Sequence, residues 1–274
     1  MLKGQWCRLE NPGRVCYANS VVQSILSSSI VKKSIHNTKT PASAQLENII
    51  LDWKNNNIGS VVKLLSYVHK KFIHGEHDAH EFFTSLIDIA KIEEPFTGFY
   101  KCGLKCSTCK HNSWHKEPFT SVLLEVHSGE RMDIASAIIK HCNPEPITDW
   151  KCGKCGNSSG SKRIVLDEFP GCLAIALKRY EAVDGKLKKV RTPVKFPRWM
   201  CIRKSGKKYA YRLKAVISHY GGLTGGHYVS NVLRYTDDDK IAWFGIDDDI
   251  VQQVNEETVL DQKTSAVMLF YSSV

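Results

Sequence analysis

No apolar run in this sequence approaches the length of a membrane span. Uninterrupted stretches such as Leu173 to Leu177 are short, whereas a spanning helix needs about 20 residues. The opening residues, Met1 to Arg8, carry no apolar signal core. No internal repeat stands out. No nucleic-acid-binding signature accompanies the basic charge. These absences argue against a membrane span and against export, and they point to the cytosol or the nucleus. Thiols stay reduced there, so the ten cysteines need a reading other than disulfides.

The 274 residues are 42% hydrophobic and 24% charged, ordinary for a soluble globular chain. A chain this long buries roughly three quarters of its unfolded surface. It suits one catalytic domain of two or three subdomains, or two small domains. The formal charge of +10 is localised: residues 178 to 214 hold 14 Lys and Arg against Glu181 and Asp184, a net +12. Such a patch can attract nucleic acid, acidic lipid or an acidic protein face. A solvated lysine-rich face on strands and turns is the plainer reading.

Residues 16 to about 90 read as helical. Tyr17, Val21, Val22, Ile25 and Leu26 recur at helical spacing, as do Val61, Val62, Leu65 and Val68, and then Phe82, Phe83, Leu86, Ile87 and Ile89. Asp78 stands where an acidic residue favours a helix start. From about residue 96 short strand-like runs alternate with Gly, Pro and Cys. After Arg163 strands dominate, at residues 164–169, 173–179, 213–219, 227–233, 241–246 and 266–271. Helices first and strands later indicate an α+β protein, with boundaries near Glu94-Pro95 and Pro170-Gly171.

Cys16 follows a loop containing Pro12 and Gly13 and opens a helical pattern. Unpaired N–H groups and the dipole at a helix start favour the thiolate, the attacking species. The Asn11 amide, across a turn, is placed to donate to an oxyanion. Alone, a buried cysteine is more often a small packing residue. Two later segments add to it. Four glycines between Tyr220 and His227 form a loop that backbone or ligand can approach closely. Trp243 to Asp249 ends a strand in three carboxylates. A cysteine, a distant histidine and an aspartate supply nucleophile, base and orienter for thiol catalysis. Separately, Cys106-x2-Cys109 and Cys152-x2-Cys155 are paired at zinc-knuckle spacing, and four thiolates complete a closed structural zinc site. Cys102 and Cys142 are near alternatives without pair spacing. Cys7, Cys172 and Cys201 read as structural.

Together these segments resemble the ubiquitin-specific protease family. Leu9, Asn11, Gly13, Cys16, Tyr17, Asn19, Ser20 and Gln23 match its cysteine box. Residues 75 to 82 resemble its Gln-Gln-Asp-Ala-Gln-Glu-Phe box, and Leu177 to Tyr180 its Leu-Lys-Arg-Phe. His219 to Tyr228 fits the histidine box, and residues 243–249 and 267–271 fit the closing strands. The matches keep the family's order over nearly the whole chain. The resemblance implies a papain-like hand in one catalytic domain: a helical thumb (1–95), zinc-ribbon-like fingers (96–170) and an antiparallel palm (171–274). It implies Cys16 as nucleophile, His227 as base, Asp247 as its orienter and Asn11 as oxyanion donor, with His219 not the base. Asp78 and Glu81 would hold the basic tail of ubiquitin. One structural zinc, no nucleotide or redox cofactor, and ubiquitin or a ubiquitin-like modifier as partner complete the expectation for a monomeric deubiquitinase. Arg14, Val15, Glu76, His77 and His80 depart from the pattern and bear on affinity or modifier choice. A binding protein that has lost catalysis, a protease for a ubiquitin-like modifier, and a zinc-containing nucleic-acid binder using residues 178–214 are the alternatives.

Overall fold

Helices come first because the apolar residues recur at helical spacing, and two of the helices are started by side-chain caps. The computed structural model describes residues 3–129, 131–204, 206–223 and 225–274. Helices α1 (Cys16–Ile25), α2 (Ser29–Asn37), α3 (Pro41–Lys54), α4 (Val62–Val68) and α5 (Ala79–Ala90) occupy the first part. Thr40 and Ser43 form a reciprocal capping box ahead of α3, with Pro41 at its first position. Asp78 caps α5 by accepting from the Glu81 N–H at 2.9 Å. Lys91 ends α5 in the left-handed region, φ 56°.

The remainder is mostly strand: β1 (Gly98–Cys106), β2 (Asn112–Phe119), β3 (Val122–Glu125), β4 (Met132–Asp133), helix α6 (Ile134–His141), β5 (Glu145–Ile147), β6 (Gly160–Glu168), β7 (Cys172–Lys178), β8 (Tyr180–Val183), β9 (Lys186–Lys189), β10 (Val194–Lys195), β11 (Trp199–Lys204), β12 (Lys207–Gly221), β13 (Gly226–Tyr235), β14 (Ile241–Asp247), β15 (Ile250–Val254), helix α7 (Glu256–Leu260) and β16 (Ala266–Ser273). A four-stranded sheet runs β2-β1-β6-β5. An eight-stranded sheet runs β15-β14-β13-β12-β16-β7-β3, with β11 added against β12. This is the α+β arrangement expected. Two features differ from the strand-only reading of residues 96 to 163. Helix α6 lies there, started by the Asp133 side chain on the Ser136 N–H. Strand β3 also lies there, yet it pairs in parallel with β7 of the larger sheet.

Strand β7 of the larger sheet is buried on both faces, which is why Leu173 to Leu177 is uniformly apolar. Cys172, Ala174 and Ala176 turn toward the helices, while Leu173, Ile175 and Leu177 turn to a second core beneath. The helix side therefore carries small residues, and helices can approach closely. Phe83 of α5 welds the layers. Its ring meets Phe96 at 5.0 Å and Phe270 of β16 at 5.4 Å, both edge-on.

The basic stretch 178–214 spans the β8–β9 hairpin and strands β10 to β12. Part of its charge is locally satisfied: Lys204 pairs with Asp167, and Arg198 with Glu256. Arg198 and Arg212 both lie over the exposed Trp199 ring.

Replacing Phe83 by Ala removes a fully buried ring between two layers. The expected cost is about 3–5 kcal/mol, read from the chemical denaturation midpoint. A loss under about 1 kcal/mol would mean that α5 and β16 are not held by this contact.

Candidate active site

Helix α1 is buried on every side, its polar residues included. A helix can be so placed only if those polar groups find partners. Tyr17 Oη donates to the Phe72 carbonyl at 2.8 Å, Asn19 Nδ2 to the Glu10 carbonyl at 3.0 Å, and Gln23 Nε2 to the Cys7 carbonyl at 2.6 Å. The Asn19 and Gln23 bonds strap the loop before the helix onto the helix itself, and the Tyr17 bond ties the helix to the segment before α5. Cys16 is thereby fixed at the first turn, 4% exposed.

Burial pushes the Cys16 thiol above its ordinary value. The backbone N–H groups of Tyr228 and Tyr17 pull it down, and the charges of Asp248 and Glu76 push it further up. The helix-start effect read from sequence is present but outweighed. Among the described residues no hydrogen bond joins Cys16 Sγ to the His227 ring. The sulfur instead lies against the N–H of Tyr228, the residue after it.

His227 opens β13, and its Nε2 lies 2.5 Å from Asp247 Oδ1 at the end of β14. An ionised carboxylate only accepts, so Nε2 carries the proton and Nδ1 is left as the basic nitrogen. His227, Asp247 and Asp248 gather within 4.8 Å. His219 differs. Lys189 Nζ donates to its Nδ1 at 2.8 Å, and its ring stacks on Tyr228 at 4.4 Å. Burial and then the Lys189 charge lower it to about 4, so it stays neutral with its acceptor nitrogen in use.

Sequence reasoning missed Asp248. This residue sits in the β14–β15 turn at φ 54°. Its carboxylate accepts from Asn11 Nδ2 at 2.6 Å and from Asn19 Nδ2 at 2.8 Å, and its carbonyl accepts from the Leu9 N–H at 3.1 Å. The run of three aspartates was the visible signal, but nothing in it told which carboxylate would face the loop. Asn11 is fully engaged on its other side too: Oδ1 accepts from the Gly13 and Val15 N–H groups at 3.0 and 3.3 Å. One Nδ2 proton goes to Asp248, and the second is the donor left over.

A cleft of about 380 Å³ adjoins this constellation, lined among others by Glu76, Asp78, His80, Leu177, Lys189 and Tyr228. Its cations are spent internally. Arg179 donates to the Ala266, Thr192 and Lys263 carbonyls, and Lys178 pairs with Glu125 at 3.0 Å. Glu76 and Asp78 are the carboxylates facing the cleft. Glu81 is not in its wall and pairs with Lys71 at 2.7 Å. The glycine loop forms the far wall. A Cβ on Gly226 would collide with the Tyr220 carbonyl and the His219 ring, so glycine is required there. Glu76 Oε2 accepts from the Gly226 N–H at 3.3 Å across the cleft.

At the end of the four-stranded sheet Cys106, Cys109, Cys152 and Cys155 converge, their sulfurs within 4.8 Å. Cys106 and Cys155 are 3.6 Å apart, and Cys109 and Cys152 3.7 Å. A tetrahedral zinc with Zn–S bonds of about 2.3 Å has sulfur–sulfur edges of about 3.8 Å, so the group fits that ion. The Cys109 N–H leads in holding the Cys106 thiol down to about 6, and the Cys155 N–H leads in lowering Cys152. Both favour the ligating thiolate. Cys102 and Cys142 do not join this group.

The family model for ubiquitin carboxyl-terminal hydrolase matches residues 7–271. The chain is 24% identical to the probable ubiquitin carboxyl-terminal hydrolase 8 of Schizosaccharomyces pombe, covering 96% of this chain and 64% of that protein. It is 28% identical to ubiquitin carboxyl-terminal hydrolase 17 of Arabidopsis thaliana, covering 96% and 41%. It thus spans less than two thirds of the length of either relative. Among solved structures, the SAGA Ubp8/Sgf11/Sus1/Sgf73 DUB module bound to ubiquitin aldehyde is similar with a TM-score of 0.83 and 21% identity, over all of this chain and 70% of that chain.

The raised Cys16 thiol sets a measurable pH dependence. A thiol above its ordinary value of 9.0 is protonated at neutral pH. Iodoacetamide should therefore label Cys16 in the free protein slowly at pH 7, with a rate still climbing past pH 9, followed peptide by peptide in a mass spectrometer. A rate already level between pH 6 and 7 would reveal a preformed ion pair and contradict this electrostatic account.

Proposed function

The chain belongs to the ubiquitin carboxyl-terminal hydrolase family, and on that premise we propose that it is a cysteine protease hydrolysing the bond after the C-terminal glycine of ubiquitin. The observation that carries the proposal is the His227–Asp247 contact of 2.5 Å, on the strand whose next residue, Tyr228, hydrogen-bonds to the Cys16 sulfur. Asp247 holds the ring so that bare Nδ1 takes the Cys16 proton. The thiolate attacks the glycine carbonyl carbon. Unpaired N–H groups at the start of α1 and the second Asn11 Nδ2 proton stabilise the oxyanion, each donor contributing on the order of 3 kcal/mol. His227 returns the proton to the leaving amine, and water then hydrolyses the thioester.

In this reading the cleft receives the tail of ubiquitin. Glu76 and Asp78 meet its arginines, and the glycine loop leaves room only for Gly-Gly. Glu81 acts at a distance, by pairing with Lys71. The helices before residue 96 serve as thumb, the four-stranded sheet as fingers, and the eight-stranded sheet as palm, with β3 of the 96–170 span lent to the palm. Zinc at Cys106, Cys109, Cys152 and Cys155 ties the fingers together. All ten cysteines are free in the structure, which supports work in the cytosol or nucleus. No helix among the described residues is long and apolar enough to cross a membrane.

A second reading, a chain that binds ubiquitin with little turnover, is favoured by the raised thiol and by the lack of a Cys16–His227 bond. One experiment separates the two. Ubiquitin bearing a thiol-reactive C-terminus is incubated with the parent, with Cys16→Ala and with His227→Ala, alongside ubiquitin-like probes. An adduct on the parent alone is expected, with Asn11→Ala turning over substrate about 10²–10³-fold more slowly. No adduct with any probe from folded protein would refute the protease.

Chelating zinc should expose the four-stranded sheet, residues 98–119 and 145–168, to trypsin while β3 and the helical layer around Phe83 stay protected. Uniform protection with and without chelator would show that the four cysteines need no metal.

A further inference from the structure

A second group of metal-type donors lies outside both sites already described. In the β1–β2 hairpin Cys102 stands directly opposite His115, and Tyr100 opposite Glu117. Cross-strand partners share a face, and so do residues two apart on one strand. Cys102, His115 and Glu117 therefore project from the same face, and their donor atoms lie within 4.8 Å of one another. His115 Nε2 is 2.6 Å from Glu117 Oε1, and the same carboxylate hydrogen-bonds the Cys102 thiol. Cys102 is 1% exposed, while the His115 and Glu117 side chains are about half exposed.

The plain account of a buried cysteine is apolar packing. Cys102 does not fit it, because it joins neither hydrophobic core. Its sulfur faces an imidazole and a carboxylate. The plain account of His115 and Glu117 is a solvated ion pair on an edge strand. That account leaves the thiol beneath them unexplained.

We propose that Cys102, His115 and Glu117 bind a zinc ion of their own, separate from the four-cysteine group. Thiolate, imidazole and carboxylate are zinc's usual donors, at about 2.0–2.3 Å, and three protein ligands leave a fourth position for water. Binding releases the Cys102 proton to solvent and replaces the His115–Glu117 hydrogen bond by two bonds to the metal. Lys162 is the cation whose charge now acts on both Cys102 and Glu117, and it yields that place to the ion. Cys102 and Cys106 are four residues apart on β1, about 13 Å at 3.3 Å per residue, so the two ions are distinct. The new one would clamp β2, the exposed edge of its sheet, to β1.

The test is zinc content of the full chain, loaded with zinc and dialysed against zinc-buffered solution, by elemental mass spectrometry. It does not depend on Cys16 reacting with ubiquitin. Two zinc ions per chain are expected in the parent. His115→Gln and Glu117→Gln, at exposed positions that leave the fold intact, should each drop the content to one. Cys106→Ser with Cys109→Ser should remove the other ion and leave this one. Cobalt in place of zinc should show a thiolate band that survives in the double serine variant and disappears when Cys102→Ser is added. A parent holding a single zinc, or unchanged content in both His115→Gln and Glu117→Gln, would overturn the proposal.

Discussion

Asp248 joins the two halves of the site. The candidate nucleophile enters on a loop near the start of the chain, and the histidine and its carboxylate partner arrive on strands near its end. Nothing local holds these segments in register. The Asp248 carboxylate does so by accepting from Asn11 at 2.6 Å and Asn19 at 2.8 Å, while its carbonyl takes the Leu9 N–H. Hydrogen bonds to a charged group are worth about 1.5–3 kcal/mol each. Losing the carboxylate would also leave one N–H of each amide without its partner in a part-buried pocket. The left-handed backbone at Asp248, φ 54°, is the local cost of aiming that side chain at the loop instead of at solvent. Asp247 beside it is consequently turned toward His227. Two adjacent carboxylates thus divide the labour, one orienting the imidazole and one fixing the loop that carries the cysteine.

The cleft next to this knot shows the same economy with charge. Lys178, Arg179 and Lys189 border it, yet each is committed to a carboxylate, to carbonyls or to His219. The basic stretch of sequence is therefore not a basic cleft. Its committed charges brace the wall, and what remains for a ligand is Glu76 and Asp78. Lys189 also decides between the two histidines of the loop. Burial, and then the ammonium on Nδ1, keep His219 neutral and occupied, whereas His227 keeps Nδ1 free.

How much was legible follows from how far each contact reaches. The cysteine segment was legible because its recognition residues are local: Tyr17 follows Cys16 directly, and Asn19 and Gln23 sit at helical spacing from it. Alternation in β7 was hidden, since both faces of that strand are buried and the run reads as uniformly apolar. Helix α6 was missed in a stretch rich in Gly, Pro and Cys, although Asp133 stands at its start as a cap. The role of Asp248 depends on a contact 237 residues away, which no periodicity encodes. Cys102 is the subtler case. It lacks the pair spacing that made the other four cysteines stand out, and only the strand register sets it opposite His115.

The raised Cys16 thiol then acquires a physical meaning. Burial is its largest cause, and the charges of Asp248 and Glu76 add to it. Asp248 is already engaged with two amides and cannot be relieved. Glu76 is different: its one hydrogen bond among the described residues crosses the cleft to the Gly226 N–H at 3.3 Å, in the path of any peptide threading between α5 and the glycine loop. A cationic peptide entering there would displace that bond and pair with Glu76, which would offset one of the charges that hold the proton on sulfur. Coulomb attraction in a narrowing, drier cleft grows as water leaves. On the proposed function, a tail filling the cleft would thus relieve the Glu76 contribution while burying the sulfur more deeply, two opposing effects on the thiol, whereas the empty site holds it above its ordinary value.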